Sequence, residues 1–188
     1  NVYGSYLLTD YCIKQGHEKI AFVGSVNATS SILDRYLGYH RALYTNGIKL
    51  REDYLIEDRG QDQLNYIELK LPEDMPTAFV CNCDEIAYLL TNQLRNLGYK
   101  VPEDISVTGF DNYTLVAENT LKLTTIAVDV QTMSKEAVAL ISDQLENGKK
   151  VKHSFSIYSP KSLVESMMFC RYDTYWNKTE TYEALKIY

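Results

Sequence analysis

The sequence predicts an α/β protein of three layers, with a parallel sheet covered by helices on both faces. Short runs such as KIAFVG (19–24), TAFVCN (77–82) and ISVTGF (105–110) are apolar on both faces, without polar alternation. Strands of that kind need cover on two sides, which a parallel sheet receives from its crossover helices. The segments between them carry apolar residues at helical spacing, so the order reads α-β-α-β-α-β-α-β as far as residue 110. Right-handed crossovers then stack these units in order.

Each element has its own reason. Residues 5–15 set Leu7, Leu8, Tyr11 and Cys12 on one helical face, and Gly16 can end that helix. Residues 31–46 repeat Ile32, Tyr36, Tyr39 and Leu43 before the Asn46-Gly47 stop. DYLIED (53–58) reads as a short strand, and residues 62–70 as a helix with Leu64, Ile67 and Leu71 on one side. Asp84 is expected to cap a helix through 97 whose face is Ile86, Leu89, Leu90, Leu94 and Leu97, closed by Gly98. After 112 the rhythm changes. A short strand near Leu123–Val128, a helix over 130–146 and an alternating strand at 151–158 follow, and then a tail rich in Tyr and charge that fits no clear element.

Composition narrows the function. The 188 residues suit one domain or one and a half, and the 45% hydrophobic and 23% charged content is that of a soluble globular chain. No apolar run is long enough for a membrane helix, so no membrane partner is expected. A net charge of −6 without a Lys/Arg cluster argues against nucleic-acid binding by this chain itself, because phosphate neutralisation supplies most of such affinity. Cys12, Cys81, Cys83 and Cys170 contain no C-x-x-C spacing, so zinc is not expected and a reducing, cytoplasmic setting fits. Cys81 and Cys83 read as small hydrophobes on one face of a strand.

Ligands of open parallel sheets bind at the carboxyl ends of the strands. Those ends are VGSVNATSS, EDRGQD, CNCDE and GFDN, and together they form one polar rim. The rim has neither G-x-G-x-x-G nor a P-loop, no G-x-S-x-G elbow, and none of His17, His40 or His153. No catalytic residue, metal or cofactor is expected from it. What it holds is Arg35, on the exposed end of a helix, with Arg59, Asn82, Asp84, Asp111 and small hydroxyl residues. An arginine fork beside a carboxylate suits sugar hydroxyls or a purine edge; for Arg35 a surface salt bridge with Asp34 or another neighbour is the plainer alternative.

GHEKIAFVGS, SSILDRYLGYHRAL, PTAFVCNCDEIA, VPEDISVTGFDN and LTTIAVD follow one another with a spacing that resembles the effector-binding core of LacI/GalR-family bacterial transcription regulators. The resemblance covers roughly residues 1–165. It implies a type I periplasmic-binding-protein-like fold of two subdomains around a ligand cleft, fed by a helix-turn-helix headpiece. It also implies that the chain is a C-terminal piece, with the headpiece and most of the N-terminal subdomain preceding Asn1. Residues 1–126 would form the C-terminal subdomain, 127–157 an orphaned segment of the N-terminal subdomain, 158–166 a return to the C-terminal sheet, and 167–188 a tail of unknown structure. The 127–157 stripe would then lack its own sheet.

By the same resemblance, Arg35, three residues before Gly38-Tyr39, and Asp111 of GFD would contact a small-molecule effector, with a sugar as the expected class. Cys83 stands where relatives often place a ligand-touching asparagine, and it offers only a weak donor. Asp84, Arg59 near an aromatic stacking position, and Tyr3 near the crossover complete the expected ligand set. Val128 and Val130 would contribute packing alone. The implied mechanism is a repressor's: effector closure alters how a homodimer presents its headpieces to operator DNA. The dimer contact would use the helix at 85–97, with Tyr88 exposed, and the segment after GFDN. A transporter's sugar-binding protein of the same fold is the alternative. A small α/β enzyme is disfavoured by the missing nucleophile and base.

Overall fold

A computed structural model describes residues 1–112 and 123–147, together with the strand at 162–164. The elements are α1 (Val2–Lys14), β1 (Ile20–Val23), α2 (Ser30–Thr45), a 3-10 turn (Glu52–Tyr54), β2 (Leu55–Ile56), β3 (Ala78–Cys81), α3 (Asp84–Asn96), β4 (Ser106–Thr108), β5 (Thr125–Ala127), α4 (Val130–Asn147) and β6 (Ser162–Val164). The main sheet has order β2-β1-β3-β4, all parallel. Single parallel bridges at Thr108–Thr124 and Asp111–Ala127 lay β5 along the far edge, and β6 pairs antiparallel with β5.

The strands are apolar throughout because each face has its own core. Ala21, Val23, Phe79 and Cys81 join Ile86, Leu90 and Leu94 of α3 on one side. Ile20, Phe22, Ala78 and Val80 join Cys12 of α1 and Ile32, Tyr39 and Leu43 of α2 on the other. The three-layer α/β/α expectation holds. Phe22, Tyr36 and Tyr39 pack edge-on or tilted with ring centroids 5.5 to 6.3 Å apart, and the Tyr39 hydroxyl donates to the Ile20 carbonyl at 2.8 Å. A buried tyrosine thus has its polar end satisfied.

Two features position the site. The Thr29 hydroxyl caps α2 by accepting from the Ile32 amide at 3.1 Å. Gly38 lets α1 and α2 touch backbone to backbone, since a Cβ there would run into the Val2 carbonyl and lie 2.8 Å from the Tyr6 amide nitrogen. That crossing sets Arg35, one turn before Gly38, beside the chain's first residue.

Several expectations need correction. Residues 62–70 are not a helix. The Asp62 carboxylate accepts from the amides of Leu64 at 3.0 Å and Asn65 at 3.2 Å, and Gln63 takes a φ of +57°. Such side-chain bonds compete with helix formation. Gly60 then accepts from Gln63 and donates to Asn65, and Arg59 bridges Tyr66 in antiparallel sense. Leu64 is left 75% exposed, and Leu69 enters the core in its place. The strand expected at 53–58 shrinks to Leu55–Ile56 behind the 3-10 turn. Asp84 does not cap α3: Cys83 is the cap position, and Asp84 begins the helix with its carboxylate turned to Thr125. The strand expected at 151–158 and the tail from 167 lie outside the described residues, as does Cys170.

Candidate functional site

The carboxyl ends of β1, β2 and β3 are tied by one buried carboxylate. Asp58 is fully buried and accepts from the Ser25 amide and the Asn82 side-chain amide, both at 2.7 Å. The Ser25 hydroxyl accepts in return from the amides of Asp58 at 3.1 Å and Arg59 at 2.9 Å. Asn82 also donates to the Val23 carbonyl at 3.0 Å. Loops that could splay apart are thereby held in one arrangement. Sequence reading placed the loops of Ser25, Asp58 and Asn82 in the rim but did not single out Asp58 or Ser25, whose partners lie more than twenty residues away.

Beside this tie stands the Arg35–Asp111 pair. The guanidinium donates to both carboxylate oxygens, at 2.7 Å and 3.3 Å, and to the Asn82 carbonyl. Its Nε donates to the Asn1 side-chain oxygen at 3.2 Å, and its plane lies 4.0 Å from the centre of the Phe110 ring. The Arg35 side chain is 12% exposed and that of Asp111 36%. Arg35 is therefore not on an exposed helix end, as expected, but in the second turn of α2 and mostly covered. Its carboxylate partner is Asp111 and not Asp34. Asn1 is a neighbour that spacing could not reveal.

Asp111 and Asn112 have φ of +98° and +54°. Side chains other than glycine's rarely take that region, and Asp and Asn tolerate it best. The turn holds because β5 pins it: the Asp111 amide donates to the Ile126 carbonyl at 2.9 Å, and the Asn112 amide reaches the Thr125 hydroxyl at 3.4 Å. Backbone strain that the surroundings enforce is a feature of ligand sites. Gly109, two residues before Asp111, is needed because a Cβ would collide with the Asp84 carboxylate.

A cavity of about 720 Å³ opens at this edge. Its carboxylates are Asp84, Glu85, Asp111 and Asp129. Cys83 and Asn112 border it, and Val128 and Val130 supply apolar wall. Of the residues expected in the site, Cys83, Asp84 and Asp111 line the cavity, and Arg35 joins through its ion pair. Arg59 lies beyond it, stacked 4.7 Å from the centre of the Tyr66 ring and donating to the Leu64 carbonyl at 3.1 Å. The Tyr66 hydroxyl in turn meets Glu85 at 3.1 Å. Tyr3, half exposed in the first turn of α1, is not brought to the cavity.

The groups gathered here are suited to recognition. Burial raises the Cys83 thiol above its ordinary value, and the carboxylates of Asp111 and Asp58 push the same way, so it stays a neutral thiol at neutral pH. Cys81 behind it is buried and raised further. Burial, helped by Cys83 and Glu85, pushes the Tyr66 phenol up to about 12, which keeps it a donor. Among the described residues, no group of three His, Cys, Asp or Glu side chains could hold a metal ion.

Comparison with known proteins gives a consistent set. Residues 9–165 match the family described as periplasmic binding protein-like domain. The chain is 34% identical over 170 residues to the arabinose metabolism transcriptional repressor of Geobacillus stearothermophilus, covering 87% of this chain and 46% of that protein. It is 31% identical over 158 residues to the HTH-type transcriptional repressor PurR of Vibrio atlanticus, covering 82% and 47%. The crystal structure of a LacI family transcriptional regulator from Enterococcus faecium with bound ribose superposes with a TM-score of 0.63 at 26% identity, over 79% of this chain and 56% of that one. The chain spans about half the length of the curated relatives it matches.

Proposed function

We propose, from the premise that this chain belongs to the periplasmic binding protein-like domains of the LacI family, that its cavity is half of an effector cleft in a transcriptional repressor. The observation that carries the proposal is the Arg35–Asp111 pair. A forked donor and a carboxylate on a positive-φ backbone stand together at the carboxyl edge of the sheet, beside an open cavity. In water such a pair is of small worth to stability. Held by Asn1, Asn82 and Phe110, it presents fixed donors and acceptors to a ligand with alternating hydroxyls. A sugar is the class that fits best, and ribose is what the solved relative holds.

Recognition becomes regulation through closure. The effector bridges this subdomain and a second one, and its differing affinity for open and closed states shifts their populations. A homodimer reads that shift out on operator DNA through a headpiece, in the cytoplasm. Leu89 on α3 and Leu97 just past its end, both exposed apolar residues, with the part-exposed Tyr88, are the surface proposed for the dimer contact. The segment after GFDN that would complete this contact lies outside the described residues. The division into residues 1–126, 127–157 and 158–166 belongs to the same reading. The exposed apolar face of α4 supports it, because a helix native to the second subdomain would present such a face here.

Thermal-shift screening of the intact protein against monosaccharides, oligosaccharides and purines tests this, with Arg35→Ala and Asp111→Ala alongside. A ligand at a hundredfold excess over its Kd should stabilise by about 2.7 kcal/mol, and either substitution should abolish the shift. A ligand whose shift survives both substitutions would remove the site assignment.

A further inference from the structure

We infer that Arg35 meets the effector with a single N–H, on Nη2, and that Asn1 makes it single by holding the neighbouring Nε–H. The cleft then favours an uncharged oxygen at this point, such as a sugar hydroxyl, and refuses the paired grip of a carboxylate or phosphate. This rests on the effector-binding reading above.

A guanidinium carries five N–H donors in one plane. Two of its edges can grip an anion with parallel hydrogen bonds: the end-on edge, from Nη1 and Nη2, and the side-on edge, from Nη2 and Nε. In Arg35 the end-on edge already holds Asp111, from Nη2 to Oδ1 at 2.7 Å and from Nη1 to Oδ2 at 3.3 Å. Nη1 also donates to the Asn82 carbonyl. On the side-on edge, Nε donates to the Asn1 side-chain oxygen at 3.2 Å. The donor left over among the described residues is the second N–H of Nη2. It sits on the nitrogen that holds Oδ1 of Asp111, and Asp111 is part of the cavity wall.

Asn1 is diverted from its ordinary task to do this. It stands at the N-cap position of α1, where an Asn side chain commonly accepts from an amide of the first turn. It makes no such bond. Arg35 has no acceptor, so the Asn1 amide must turn its oxygen toward Nε. Both partners are anchored. The Asn1 carbonyl accepts from the Ser5 amide at 3.1 Å, and α1 is locked against α2 where Gly38 meets the Val2 carbonyl. The guanidinium carbon of Arg35 lies over the Phe110 ring, 4.0 Å from its centre. A hydroxyl needs one donor, and Nη2 supplies it. A carboxylate or phosphate would need Nε as well. It would have to displace Asn1 and set a second anion beside Asp111.

Two measurements on the intact protein test this. The first needs no ligand: NMR follows the exchange of the Arg35 Nε–H with water. Asn1→Ala should speed that exchange about tenfold, the worth of one hydrogen bond to a charged group, without lowering the melting temperature, because no cap is lost. Asn1→Asp keeps an acceptor and should restore slow exchange. Asn1→Ser caps helices well but is too short to reach Arg35, and should behave as Ala does. Rescue by Ser and not by Asp would mean that Asn1 acts through its helix, which overturns the inference. The second is calorimetry with ribose against ribose 5-phosphate and glucose against glucuronate. The neutral sugar of at least one pair should bind more tightly, and Asn1→Ala should shrink that preference about tenfold by freeing the side-on edge. A preference unchanged in Asn1→Ala overturns the role of Asn1. An anion bound more tightly than its neutral partner, and lost in Arg35→Ala, overturns the single-donor inference and leaves the effector reading standing. Binding that survives Arg35→Ala, or no binding by any of the four probes, would sink both.

Discussion

Asp58 is the residue on which the rim depends most, although it faces no ligand. Its carboxylate holds the Ser25 amide and the Asn82 side chain, and Arg59 Nε lies 4.0 Å away. Asp58→Ala would strand these donors in a buried place. Losing one member of a buried, charged arrangement typically costs about 3–5 kcal/mol, and urea denaturation of the variant should show a loss of that order. A loss under about 1 kcal/mol would mean that water replaces the carboxylate and the tie is dispensable. Legibility at this scale follows from how local the cause is. Asp111 is visible in the sequence because a carboxylate directly follows a two-faced apolar strand. Arg35 is placed in the rim by its position, but only the family resemblance favours a ligand role for it over a surface salt bridge, since its fork is spent on residues 34, 47 and 76 positions away. Asp58 is invisible, because three separate strand ends must first assemble around it.

The elements show the same division. The apolar strands and α2 and α3 were readable because their spacing alone specifies which face is buried. Residues 62–70 read as a helix in sequence because Leu64 and Ile67 imitate a helical stripe, while the Asp62 side chain ties down the two amides that a helix would need. Further along this connection, Asp74 joins it to the rest of the fold. It pairs with Lys19 at the start of β1 and with Arg51 before the 3-10 turn, and these bonds lower its carboxyl from 3.8 to about 2. The sign follows from linkage. A carboxyl depressed in the folded state adds stability that is complete above its unfolded value, and that contribution fades as pH falls from about 4 through about 2. Asp74→Asn should therefore lower the thermal midpoint at pH 6 and converge with the parent protein near pH 2. The exposed position keeps the effect modest. Equal midpoints at pH 6 would show that the two ion pairs contribute nothing measurable.

At the scale of the whole molecule, α4 does not resemble the other helices. Val130, Met133, Val138, Leu140, Ile141 and Leu145 are 36% to 80% exposed, whereas α1, α2 and α3 each bury a face against the sheet. On a 3.6-residue repeat, 130, 133, 137, 141 and 145 fall on one stripe, so this is an apolar face without a partner among the described residues. The family accounts for it if α4 belongs to the other subdomain. The relatives are about twice the length of the match, and a partner sheet would bury the stripe. Physics then requires a consequence for this 188-residue chain on its own. Each large apolar side chain on the stripe forgoes about 1.5–3 kcal/mol while it stays in water, and patches of that kind promote association. Sedimentation should find the chain self-associating as its concentration rises, with bound hydrophobic dye. Ile141→Lys with Leu145→Lys should remove both signals without lowering the melting temperature, because neither side chain supports the core. A chain that stays monomeric and binds no dye would mean that the stripe is covered from within the same molecule, and the assignment of α4 to a second subdomain would lose its support.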